Sequence, residues 1–351
     1  MECLLKNKNM NTVDEKYVSL LKDIKEKGYI CEPARKNMPA TKALFGEKLE
    51  FDNSIYPLLQ GKKVSFKNVL IELLWFLKGD SNIKFLVENN CNIWNKDAYR
   101  YYKDKFEGKL SLEEFEKAIL DNSFEGGLAI SNPNDNVKDS NYKYGDCGKI
   151  YPSQWRSFGK GNFEYQKIGF HVEAVLRKPI DQIKKLIEGL RDNPYSRYHI
   201  VDAWNIQDFE EGKQALPACH TNFMCNVFKH NDGKFYLDLA YRQRSCDTPL
   251  GVPYDIASYA LLQRILSKLA GYEVGKLICY LDNVHYYENQ QEYVDEYIQR
   301  FEDNEIPNEN VQVEINSSKW MGNIDNIKIE DFNLINYKPL STIKAPLSVG
   351  L

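Results

Sequence analysis

Apolar residues recur at helical spacing in several stretches of this chain. The clearest runs from Ser65 to Lys78, where Phe66, Val69, Leu70, Leu73, Leu74, Phe76 and Leu77 fall on one broad stripe. Ser65 is a fair N-cap for it and Gly79 a fair stop. The pattern also predicts an opening amphipathic helix from about Val13 to Lys27. A further helix is predicted over Ile180 to Leu190, ended by the turn Asp192-Asn193-Pro194, and another over Ile256 to Ala270, stopped at Gly271. Strand signals lie between them. An apolar strand follows Arg197, Phe235 to Ala240 alternates with period two, and Leu277 to Tyr280 is a short strand leading into DNVHYYENQ. Strands and helices alternate irregularly, which predicts an α/β or α+β fold with a large mixed or antiparallel sheet.

Residues from about 99 to 141 differ in character. They are charged, rich in Asn and Asp, and carry one short helical pattern from Ser111 to Leu120. This reads as an insertion on the periphery of a single main domain. Globular composition returns at Tyr144.

Composition narrows the picture. The chain has 351 residues, 43% hydrophobic and 27% charged, enough to bury a sizeable core. A formal net charge of -4 argues against a nucleic-acid partner, which would call for a basic face. Eight cysteines without a CxxC pair predict neither a disulfide framework nor a zinc site, and no metal is expected. The N-terminal stretch lacks the apolar core of a signal peptide, and no apolar run is long enough to span a membrane. The expectation is a cytoplasmic protein with no membrane partner.

Candidate chemistry gathers in two stretches, Leu216 to Phe228 and Tyr241 to Leu262. The first presents Cys219 beside His220. A thiol is a nucleophile only as thiolate and needs a nearby cation or helix terminus. Neighbours on a strand point to opposite faces, so the pair fits a nucleophile or a packed strand cysteine, and Cys225 and Cys246 are equally available by type. In the second stretch, Arg244 and Asp247 flank Ser245 and Cys246 in what reads as one short loop, a set suited to phosphate plus a polar ring. Asp255 sits just ahead of the helix at Ile256, as a first-turn acid or a ligand group. His285 and Tyr287 lie two apart after a strand and fit hydroxyl recognition or ordinary packing. Arg35, Lys36 and Lys42 meet an anion or line a solvated loop. Glu72 puts a carboxylate on the apolar stripe. It is either a boundary residue reaching solvent or a buried, functional acid with a raised pKa.

Taken together, these motifs resemble the thymidylate synthase family over most of the chain. The likeness runs from the Arg35 loop through LIELLWFLKGDSN, NIW, YPSQWRSFG, NPYSR, AWN, LPACH, RQRSCD, LGVPYDIASYALL and VHYY to YKPLSTIKAPLSV. RQRSCD with IASYALL at this spacing is highly specific. The resemblance implies an α+β fold whose large sheet forms the interface of a homodimer. It implies that Cys219 adds to C6 of a pyrimidine nucleoside monophosphate, so that C5 takes the one-carbon unit of 5,10-methylenetetrahydrofolate. Glu72 manages protons, Tyr151 helps remove the C5 proton, and His220 joins the catalytic set. Arg244 and Ser245 bind phosphate, with Arg35 and with Arg197 lent across the dimer. His285 and Tyr287 hold the sugar, and Lys62, Trp94 and Asp247 meet the folate.

Four departures from the family pattern bear on function. Tyr198 stands where a second arginine is usual. The arginine loop is one residue longer, so Arg35 and Lys36 compete for one role. Asp255 replaces an asparagine. A carboxyl group accepts from the 4-amino group of cytosine and shares a proton with N3, which an amide in the uracil-reading orientation does not. This resembles the deoxycytidylate hydroxymethylase branch and predicts a cytidine nucleotide, dCMP before CMP. Last, the tail continues to Gly350 and Leu351, which shifts the terminal carboxylate and predicts a wetter site and a 5-hydroxymethyl product. Retained Trp94 and His220 point instead to reductive methylation of dCMP or dUMP, and an idle nucleotide- or RNA-binding relative is a further alternative.

Overall fold

The computed structural model describes residues 12–33, 38–52, 54–126, 141–159, 163–168, 171–176 and 178–347. The chain divides into two units, one of Met1–Leu70, Leu190–His199 and Cys219–Leu351, the other of Ile71–Gly189 and Ile200–Ala218.

A six-stranded mixed sheet organises the fold. Its order is Tyr29–Cys31, Thr41–Phe51, Glu273–Tyr287, Phe235–Asp247, His220–Lys229 and Ile200–Asp202. Thr41–Phe51 runs antiparallel to Glu273–Tyr287, which runs parallel to Phe235–Asp247, and His220–Lys229 is antiparallel to that strand. The parallel pair requires a crossover. Helix Gly251–Ala270 supplies it and ends at Gly271 with φ +82°. Fifteen of its residues are buried, so it is apolar almost all round. Its polar side chains are satisfied inside: Gln263 Nε2 donates to the carbonyls of Leu237 (2.8 Å) and Lys276 (2.9 Å).

The α+β architecture matches the reading of the sequence, but three element boundaries differ at the site. RQRSCD is no loop. It is the second half of the 13-residue strand Phe235–Asp247. Polar residues hold this conformation because partners flank them on both sides: His220 pairs with Gln243, and Ser245 and Asp247 pair with Asn283 and His285. The short strand expected over Leu277 to Tyr280 is 15 residues long, Glu273–Tyr287, and takes in VHYY. Helix Gly251–Ala270 starts five residues earlier than the Ile256 expected, so Asp255 lies inside it. Pro253 reads as a breaker in sequence but is tolerated in a first turn, where no amide is needed.

In the second unit, residues 71–78 of helix Phe66–Lys78 carry Trp75 and Phe76 into an aromatic cluster with Trp94, Tyr151 and Trp155. The stretch expected to be an insertion holds two helices rather than one pattern. Helix Asn95–Phe106 precedes Leu112–Leu120, which is closed by a capping box between Ser111 and Glu114. Tyr102, Phe106, Phe115, Tyr142 and Tyr144 form its local core, with Phe106 and Tyr142 stacked at 3.8 Å. No helix among the described residues is long and apolar enough to cross a membrane.

Candidate active site

In the first unit, the site is set by where three strands meet. The amide of Arg244 donates to the carbonyl of Cys219 at 2.8 Å, so the cysteine's backbone is tied to the start of RSCD. The pairing skips Thr221 between His220–Gln243 and Asn222–Arg242. Such a bulge re-aims side chains where it occurs. Cys219 is half-buried, whereas Cys225 and Cys246 are buried and their thiols are pushed above the usual range by desolvation. A thiol raised in this way does not ionise near neutrality, so exposure distinguishes Cys219 among the three.

His220, next in sequence, is directed elsewhere. It is buried, its Nδ1 lies 2.7 Å from the Tyr259 hydroxyl, and burial lowers its pKa to about 3. The imidazole is therefore neutral and supplies no cation to the thiol. Tyr259 itself stacks on Tyr241 at 4.1 Å.

Asp255 Oδ2 accepts from Gln243 Nε2 at 2.8 Å, and the same nitrogen donates to the Ser245 carbonyl at 3.0 Å. Gln243 is buried, and its Oε1 has no hydrogen-bond partner within the protein. Asp255 is half-buried rather than turned to bulk solvent. A Cβ on Gly251 would stand 3.5 Å from Asp255 Oδ2 and 3.9 Å from Asp247 Cβ, so glycine keeps the space bordered by both acids open.

Asp247 ends its strand and holds the next helix: its Oδ1 accepts from the Leu250 amide at 3.1 Å. Burial raises its pKa. His285 is its partner across the parallel pair, with its own pKa lowered by burial and its Nδ1 2.8 Å from Asn283 Oδ1. The His285 and Tyr287 rings meet edge to face at 5.4 Å. Arg244 and Ser245 are half-buried in the same strand, while Arg242 is exposed and donates to the Asp282 carboxylate.

Lys62 is 4% exposed and donates to the Pro249 carbonyl, with its ammonium 4.7 Å from the Tyr293 ring centroid. Desolvation lowers its pKa to about 7. The resemblance implies a folate-site lysine here, and the structure shows its amine buried against the Pro249 carbonyl. Arg197 is exposed, and Tyr198 is 87% exposed, both in the loop before buried His199. Arg35, Lys36, Gly350 and Leu351 lie outside the described residues.

The second unit gathers the other expected residues. Trp94 Nε1 donates to Glu72 Oε1 at 2.7 Å. Desolvation raises the Glu72 pKa to about 7, and the indole bond works against that rise. Trp94 and Tyr151, both buried, meet edge to face at 6.1 Å, and Tyr151 packs 4.9 Å from Phe76. A carboxyl group shifted in this way can exchange a proton near neutral pH.

Gln243, Tyr259 and Gln290 escaped the reading of the sequence. Gln243 had a signal, a polar residue in phase with buried Tyr241 in an alternating segment. Tyr259 had one too, standing one helical turn after Asp255. Among the described residues no group of three or more His, Cys, Asp or Glu is placed to hold a metal.

Comparison with known proteins agrees with this arrangement. The thymidylate synthase family model matches residues 15–349. A thymidylate synthase of Mycoplasma mobile is 36% identical over 338 residues, 95% of this chain and all of the relative. One of Staphylococcus haemolyticus is 35% identical over 348 residues, 97% of this chain and all of its own, and one of Mesoplasma florum is 34% identical over 338 residues. With its thiol, arginine, acids and histidine gathered along the mixed sheet and a match running nearly end to end, the chain belongs to the thymidylate synthase family.

Proposed function

We propose that the protein transfers a one-carbon unit from 5,10-methylenetetrahydrofolate to C5 of a pyrimidine nucleoside monophosphate, leaving a methyl group, and that the ring it reads is cytosine. The observation that carries the choice of base is the Gln243–Asp255 bond. Gln243 donates to Oδ2, which fixes the carboxyl group beside the strand that Cys219 enters. A carboxylate oxygen held there can accept from an exocyclic amine. A uracil ring would place its O4 acceptor against that oxygen, two acceptors face to face.

The methyl product is favoured over the 5-hydroxymethyl product by the relatives, which are named thymidylate synthases. The hydroxymethyl expectation rests on a shifted terminal carboxylate, in residues outside those described. The same names favour a second reading of the base, dUMP.

Cys219 is the nucleophile in this proposal, and Arg244 with Ser245 holds the phosphate. Glu72 and Tyr151 move protons, and His285 with Tyr287 holds the sugar. Asp247 and Trp94 meet the folate, whose pterin offers N–H donors that suit a half-buried carboxylate. Lys62 belongs to the folate-binding set as well, and its amine donates to the Pro249 carbonyl. A single catalytic domain, working as a homodimer with exposed Arg197 lent to its neighbour, belongs to the same proposal. Incubation with methylenetetrahydrofolate and dCMP, CMP or dUMP, read by mass spectrometry and dihydrofolate absorbance, tests it. Methylated dCMP with stoichiometric dihydrofolate is expected. A clear preference for dUMP overturns the base assignment, and product 30 rather than about 14 mass units heavier overturns the methyl outcome.

A further inference from the structure

We infer that Gln290 is a positioning residue that couples the C-terminal segment to the Asp247 end of the site. The inference rests on the folate reading above for its effect on turnover, though not for its effect on the segment.

Gln290 is fully buried and uses both ends of its amide. Its Oε1 accepts from the Tyr287 amide at 2.9 Å. Its Nε2 donates to the Pro346 carbonyl at 3.1 Å and reaches Asp247 Oδ2 at 3.5 Å. One side chain therefore touches the end of the strand that carries His285 and Tyr287, the acid at the end of the neighbouring strand, and the tail. The remaining tail contacts lie farther back. The Leu340 amide donates to the Gln60 carbonyl at 2.8 Å, and Arg300 donates to the Ser341 carbonyl at 2.8 Å. Among the described residues, the Pro346 hydrogen bond brings the tail to a side chain that also meets a site residue.

The geometry sets what each atom can do. The acceptor end is committed to a backbone amide, so the amide cannot flip without losing that bond and presenting an oxygen to two other oxygens. The donor end has two N–H groups, one for the Pro346 carbonyl and one for the Asp247 carboxylate. A shift of either acceptor moves the side chain that holds the other. Tail docking and occupancy at Asp247 are thereby linked through one amide group.

Gln290→Glu keeps the acceptor for Tyr287 and replaces the donor with an oxygen, at nearly constant volume. Hydrogen exchange of residues 340–347 in the unliganded protein should quicken by about tenfold, the loss of roughly one buried hydrogen bond. The KM for methylenetetrahydrofolate should rise by about tenfold while nucleotide affinity, from binary titration, changes less than about twofold. Gln290→Asn, which keeps the donor on a shorter arm, should fall between. A lowered melting temperature with exchange in 340–347 unchanged would make Gln290 a packing residue and overturn the inference. Faster exchange with an unaltered folate KM would overturn the coupling. Failure of the wild-type protein to turn over folate at all would count against the proposed function instead, and the exchange result would still decide whether Gln290 holds the tail.

Discussion

The Arg244 amide and the Cys219 carbonyl are joined by a 2.8 Å hydrogen bond, which ties the proposed nucleophile to the strand that carries the phosphate-binding candidates. A thiol anchored through its own main chain is replaceable without repacking. Cys219→Ser should therefore lower kcat by at least about a thousandfold. Its melting temperature should stay close to wild type. It should also lose the covalent adduct that the wild type forms with a 5-fluorinated pyrimidine nucleotide and folate, visible as a mass shift on the intact chain. An adduct that survives in Cys219→Ser would remove Cys219 from the mechanism.

In the proposed function, Asp255 is the residue on which base choice turns. Asp255→Asn replaces an acceptor oxygen with an amide and should shift the ratio of kcat/KM for dCMP over dUMP toward dUMP by about a hundredfold or more, since a mismatched buried hydrogen-bonding group costs a few kcal/mol. Competition assays with both nucleotides read this ratio directly. An unchanged ratio would mean that Asp255 does not face the ring.

Glu72 gives a pH signature. Its pKa is raised to about 7 by desolvation, and the Trp94 indole bond favours the charged form. Trp94→Phe removes that bond, so the ionisation near pH 7 in the kcat profile should move to higher pH, and Glu72→Gln should abolish it. Stability carries the same sign. A carboxyl whose pKa is higher folded than its ordinary 4.5 binds more protons in the folded state, so its contribution is full below about 4.5 and is lost as pH rises through about 7. The melting temperature of Glu72→Gln should change less than that of wild type between those limits, as calorimetry at stepped pH would show.

Asp14 is a structural acid. It is fully buried and accepts from the Gln60 amide at 3.0 Å, the Gly61 amide at 2.8 Å and the Tyr297 hydroxyl. Asp14→Ala strands two buried amides just ahead of Lys62 and should cost about 3 kcal/mol or more, measured as a lower urea midpoint at an unchanged slope. Wild-type stability in this variant would mean that water replaces the carboxylate.

Much of this molecule could be read before it folded. Helical periodicity located Phe66–Lys78 and the greater part of Gly251–Ala270, because a stripe of apolar side chains must be buried whatever covers it. Residue types, their spacing and the family resemblance also singled out the thiol, the arginine, the acids and the histidine as candidates, since RQRSCD and its neighbours are local in sequence. Local pattern could not say that RQRSCD is a strand. Its polar side chains resemble a loop until His220–Lys229 and Glu273–Tyr287 pair with it from both sides. Nor could it tell that His220 turns to Tyr259, that Lys62 is drawn inward to Pro249, or that Gln243 grips Asp255. Those facts depend on burial and on partners tens or hundreds of residues away. A side chain's charge state is set by what desolvates it and what it bonds, and only the tertiary structure supplies both.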